Sequence, residues 1–138
     1  MLAITVGCSS SSYAYNLDLQ SKEILAFQAR AEMMFPPTTK ILAWGEQTGG
    51  PDTFTFLKIE VPVSDLDLLI NNSPFAKREL EFDGVKRVHA SSEIKNWNPE
   101  KVKNFKSASV KLKQRGWVNT LIDYDDEKVR IFYLVLID

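Results

Sequence analysis

The chain has 138 residues, enough to bury one sizeable core without disulfides or a structural metal and short enough to be a single domain. Its composition, 44% hydrophobic, 25% charged and 11% aromatic, excludes a disordered or fibrous protein. A net charge of −1 argues against a surface built wholly for nucleic acid, and no run reaches the roughly 18 consecutive apolar residues of a membrane-spanning helix. The balance is uneven along the chain. Four Lys and Arg stand against eight Asp and Glu over residues 1–76, a net of −4; eleven against five over 77–115 give +6, and two against five over 116–138 give −3. The lone cysteine, Cys8, rules out an internal disulfide, a CxxC redox pair and a cysteine-rich zinc site.

The chain opens MLAITVGCSSSS, continues through a polar and aromatic lead-in, and reaches Ser21 where a helix N-cap belongs. In SKEILAFQARAEMMF the residues Ile24, Phe27, Ala31 and Met34 recur at helical spacing, which predicts an amphipathic helix with that stripe inward, ended by Pro36 and Pro37. Lys40 to Gly45 and Thr53 to Val61 read as two strands of a hairpin, joined by EQTGGPD. In the second strand Thr55, Leu57, Ile59 and Val61 share one face; Phe54, Phe56, Lys58 and Glu60 share the other. Ser64 and Asp67 resemble a capping box ahead of a short helix whose stripe is Val63, Leu66, Leu69 and Ile70, and Asn71, Asn72 and Pro74 close it.

Asp83-Gly84, at the centre of RELEFDGVKRVH, is a pair favoured in two-residue hairpin turns, and that register sets Glu81 against Lys86 and Phe82 against Val85. Pro99 takes the first position of a short helix capped by Asn98. WVNTLIDY and VRIFYLVLID flank DDEK as a closing hairpin, and the second strand, apolar on both faces, belongs in the middle of a sheet. The expected fold is therefore α+β, a mainly antiparallel sheet built from hairpins with two or three helices on one face.

Little in this order of residues points to chemistry. His89 precedes Ser91 and Ser92, but no G-x-S-x-G elbow or other positioned serine motif accompanies it, so a strand-end surface histidine is the simpler reading. Cys8 paired with His89 fails as a thiol hydrolase because a serine-flanked arm would not hold a nucleophile in place. Asp123, Asp125, Asp126 and Glu127 lack the calcium-loop pattern and read as a solvated turn, and Gly49-Gly50 lacks a phosphate loop's continuation. No metal site, cofactor or catalytic residue is expected. The basic stretch is more suggestive: Lys95, Lys101, Lys103, Lys106, Lys111, Lys113 and Arg115 are interleaved with Trp97, Phe105 and Trp117. Together with Trp97, these seven cations are the candidate surface for an anionic partner, through neutralisation and stacking. The plainer alternative sends the aromatics to the core and leaves the lysines as a solvated edge.

LAITVGCSS resembles the end of a bacterial lipoprotein signal peptide, with Thr5-Val6-Gly7-Cys8 as the lipobox and a serine-rich tether after it. Thr5 stands where that family usually has Leu, and Met1 to Gly7 has neither a basic n-region nor a full apolar core, so the true start is expected upstream. The resemblance covers residues 1 to about 12 and implies removal of residues 1–7 as a signal remnant, lipid attachment at Cys8 and a serine-rich tether; read with the element pattern, residues 8–20 are tether and lead-in and residues 21–138 a single α+β domain. Two or three acyl chains anchor stably where one is marginal. In a two-membrane bacterium Ser9 implies the outer membrane. FPPTTKILAW, DTFTFLKIEVP and WNP also look similar to small bacterial lipoproteins of unknown function. The alternative for LAITV is an ordinary first strand followed by a buried cysteine.

Two functions follow as expectations. The first is a non-enzymatic, lipid-anchored envelope protein whose domain binds an envelope protein or an anionic polymer. The second is a soluble cytoplasmic module using residues 77–115 to contact nucleic acid or a protein.

Overall fold

The computed structural model describes residues 10–76, 82–89 and 93–138. Its centre is β6 (Val129–Ile137), apolar at nearly every position, lying between β3 (Asp52–Pro62) and β5 (Trp117–Asp123). Outward from there come β2 (Lys40–Gly49) and β1 (Ser10–Ala14) on one side and β4 (Phe105–Lys111) on the other. The order is β1-β2-β3-β6-β5-β4, and every pairing is antiparallel. With α1 (Lys22–Ala31) and α2 (Leu66–Asn71) the molecule is a six-stranded antiparallel sheet with two short helices, an α+β fold dominated by its sheet.

Side chains alternate across a strand, so β6 divides its residues between two cores. Phe132, Leu134 and Leu136 enter one cluster with Leu57, Ile59, Val61, Val118 and Ile122, and this cluster also takes Ile24, Phe27 and Ala31 of α1 and Leu69 of α2. Tyr133 and Val135 enter the other, with Ala43, Leu121, Val88, Ile94, Trp97 and Val102. Residues of both helices are members of the first cluster. The second takes in residues of the coil over 82–89 and 93–104, whose only regular piece among the described residues is a 3-10 turn, Pro99–Lys101. Each fully buried Leu, Ile or Phe contributes roughly 1.5–3 kcal/mol of transfer free energy.

Several expectations are corrected. Ser10–Ala14 form the edge strand β1, with Ser10 opposite Thr48 and Ala14 opposite Trp44. An edge strand needs only backbone partners on one side, so its residues need not alternate. Helix α1 stops at Ala31, five residues before Pro36: Glu32 adopts φ 58° and its N–H bonds back to the Gln28 carbonyl. That left-handed turn carries Met34 outward to 66% exposure and places Met33 and Phe35 inward. The strand β2 continues through Gly49, leaving only Gly50 and Pro51 outside the hairpin ladder. The Ser64 capping box is replaced by a 3-10 turn, Val63–Asp65, with no side-chain cap. Residues 77–81 lie outside the described part, and residues 82–89 form no hairpin. Asp83 instead exchanges both backbone hydrogen bonds with Ser107 on the β4 edge, while its carboxylate accepts from the Val85 N–H and pairs with Arg87.

One turn is sterically strict. Gly116 sits at φ 88° between β4 and β5, its carbonyl taking the Leu112 N–H at 2.9 Å, and an added Cβ would lie 2.3 Å from the Ile137 carbonyl oxygen. Gly50, at φ 71°, has open space around the same position. Gly50→Ala is therefore expected to cost about 1–2 kcal/mol from backbone conformation alone, and Gly116→Ala more than that because the backbone must also move. Denaturant unfolding of the two variants beside the parent checks the order.

Candidate functional site

The β4 strand splits the basic stretch. Lys111, Lys113 and Arg115 are exposed at one end of the sheet, where the β4–β5 turn lies; Lys101, Lys103 and Lys106 are exposed at the other. About 20 Å of strand separates the groups. Lys95 stands apart, exposed in the coil over the second cluster, where its N–H bonds to the Tyr15 hydroxyl at 3.2 Å. Lys106 lies 5.3 Å from the Tyr124 ring centroid, and the Lys103 N–H is held by Asp125. Trp97 is only 4% exposed and packs edge-on against Phe56 and Tyr133, with its indole N–H donating to the His89 carbonyl at 2.7 Å. As placed, it is a core residue and offers no face for stacking on a partner. Cys8 and the lipobox lie outside the described residues, as do Ser91 and Ser92 beside His89.

A residue with no predicted role sits at the centre of the second face. Lys58 is 7% exposed, and its ammonium group donates to the Asn96 carbonyl at 2.5 Å and to Asn98 Oδ1 at 3.1 Å, 4.9 Å from the Tyr133 ring centroid. The Tyr133 hydroxyl donates to the same Asn98 oxygen at 2.6 Å. Burial holds the Lys58 pKa below its usual range despite the opposing pull of Asp123. Burial likewise raises Asp123, and burial reinforced by Asp123 pushes Tyr133 up to about 12. A cavity of about 280 Å³ adjoins these groups, lined also by Lys101, Asp125 and Ile131. Two Lys58 ammonium donors and the Tyr133 hydroxyl go to Asn96 and Asn98, and Asn96 itself is held at φ 67°, so the cluster pins coil to sheet. The sequence signal was a lysine alternating with Phe54 and Phe56 on a face otherwise apolar.

The acidic turn works similarly. Asp125 accepts from the Lys103 and Asn104 N–H groups, and Asp126 from those of Lys128 and Val129, which lowers both pKa values. Among the described residues no group of His, Cys, Asp or Glu is arranged to hold a metal ion.

A cleft with an apolar floor lies on the same face as Lys58, nearer the opposite end of the strands. It encloses about 410 Å³ over Phe54 and Phe56 of β3 and Val135 and Ile137 of β6, walled by Gln47, Asn119 and the coil residues Arg87, Val88 and His89. Its rim is braced. Asn119 accepts from Ser109 Oγ at 2.6 Å and donates to the Arg87 carbonyl at 3.2 Å, and Gln47 donates to Tyr13 Oη and Glu93, which also pair with each other. An apolar floor with a guanidinium, an imidazole and two amides at its margin suits an apolar group bearing hydrogen-bond acceptors.

The Tyr133 shift has a defined sign. Its folded-state pKa lies above the ordinary value of 10, so the stabilisation is complete below pH 10 and is lost as pH rises through about 12. Lys58 runs oppositely: its lowered pKa makes the charged form a cost that is relieved as pH approaches 10.5. Between pH 10 and 12 the parent should lose about 2 kcal/mol relative to Tyr133→Phe, which lacks the ionising phenol. Denaturant unfolding of both proteins across that range checks it. No family model matches the chain, and no curated protein or solved structure matches it either.

Proposed function

We propose that the protein is a non-enzymatic, lipid-anchored component of the bacterial cell envelope, held to the membrane through Cys8. Its α+β domain, with α1 and α2 backing one face of the sheet, uses the cleft on the other face to bind an envelope partner or ligand. The observation that carries this reading is the run Thr5-Val6-Gly7-Cys8 with serines behind it. A small residue before cysteine suits a processing peptidase, and the thiol is the group a diacylglycerol needs. The apolar floor of Phe54, Phe56, Val135 and Ile137 supports a binding role for the domain, since such a floor rimmed by few polar groups is what a ligand site requires. Ser9 directs the anchored form to the outer membrane where there are two membranes.

Mass spectrometry of the amino terminus isolated from cells tests the anchor. The expected species begins at Cys8 and carries diacylglycerol, and Cys8→Ser should move the protein from the membrane to the soluble fraction. An intact, unmodified Met1 in material from cells would overturn the reading.

A further inference from the structure

The strand register aligns one end of all six strands. Ser10 stands opposite Thr48, Thr48 opposite Thr53, Thr53 exchanges backbone hydrogen bonds with Asp138, and Gly116, packed against Asp138, is bonded to Leu112. Ser10, at the β1 edge of this row, is two residues from Cys8, and covalent geometry limits that separation to about 7 Å. The β4–β5 turn occupies the opposite edge, about 24 Å across the sheet.

That turn displays Lys111, Lys113 and Arg115, whose side chains make no ion pair or hydrogen bond among the described residues. Asp52, Glu32 and Asp138 are acids at this end of the sheet. Glu32 is occupied by the Lys113 and Gln114 N–H groups, and Asp138 by Arg30 at 3.3 Å. Directly opposite Lys111 is Trp117, 46% exposed, whereas Trp44 and Trp97 are buried at 8% and 4%. At the far end of the strands, some 30 Å away along β6, β5 ends at Asp123 and the β5–β6 turn carries Asp125, Asp126 and Glu127.

We propose that the sheet end bearing Lys111, Lys113, Arg115 and Trp117 docks on anionic phospholipid headgroups. The cations meet the headgroup charge, the indole sits at the interface, and the acidic turn points away. The anchor at the β1 edge and the basic turn at the β4 edge then fix how the domain stands on the bilayer. The anchor part rests on the Cys8 reading above; the lipid-facing surface rests on charge and exposure.

The lone cysteine permits a test independent of cellular processing. The full chain is coupled through Cys8 to vesicles carrying a maleimide lipid, in phosphatidylcholine alone or with about a third phosphatidylglycerol, and tryptophan emission is followed with and without brominated lipid. The expected result is a blue shift and quenching in the anionic vesicles only, abolished by high salt and absent in Trp117→Phe. With each cation worth about fivefold, K111Q/K113Q/R115Q should lower the docked-to-undocked ratio about a hundredfold, whereas K101Q/K103Q/K106Q should leave it unchanged. Identical emission in both vesicle types, or equal docking by the two triple variants, would overturn the proposal. So would preferential binding of single-stranded DNA through Lys111, Lys113 and Arg115 with no vesicle response. An unmodified Met1 in cells would remove the natural anchor and leave this vesicle result to stand or fall separately.

Discussion

A sheet apolar on both faces must be covered on both, and here the two covers are chemically different. Helices α1 and α2 satisfy their own backbone while sharing one buried cluster with Leu57, Ile59 and Leu134. The coil described over 82–89 and 93–104 satisfies far less of its own, so its carbonyls need donors from elsewhere where it packs with Tyr133 and Val135. The sheet and the coil's own side chains supply them: Asn119 to Arg87, Trp97 to His89, Lys58 to Asn96 and Lys86 to Glu100. This accounts for a lysine buried in the middle of β3. Its desolvation is costly, and two oxygens with an aromatic face offset that cost while tying the coil to the strand.

The same requirement explains which elements were legible from residue order. Where a face is buried against helices or neighbouring strands, apolar periodicity follows directly: Ile24, Phe27 and Ala31 in α1, the alternation of β3, the two-sided run of β6. Edges obey weaker rules. In β4 the sequence FKSASVK hides a strand because Ser107 is buried as a polar residue, its hydroxyl donating to the Thr120 carbonyl at 2.8 Å. In β1 the serines are held by backbone pairing to β2 alone, which leaves no side-chain pattern to read. Met34 and the Asp83-Gly84 segment misled for a related reason: local propensity favoured a continued helix and a hairpin, and a left-handed residue at Glu32 and a bridge to Ser107 prevailed.

Charge shows the same contrast between chain order and space. Counted along the chain, residues 77–115 are one basic block; on the sheet, β4 carries Lys106 toward one end and Lys111 toward the other, and Trp97 leaves the surface altogether. What a linear count presents as a single patch is two groups with different neighbours. One lies among the acids of the β5–β6 turn, where Asp125 already engages the Lys103 backbone. The other faces solvent beside Trp117.

The cleft belongs to this second region. Gln47, Phe54, Ile137 and Trp117 form one cross-strand row, a single residue inward from the row that begins at Ser10. Three of these four side chains line the cleft, and the fourth is the exposed indole. A surface that brings Trp117 to a bilayer therefore brings the cleft's apolar floor within one or two side chains of it. Ligands with apolar chains reach such a floor from lipid more readily than from water, because their transfer there leaves little apolar area to be hydrated on the way.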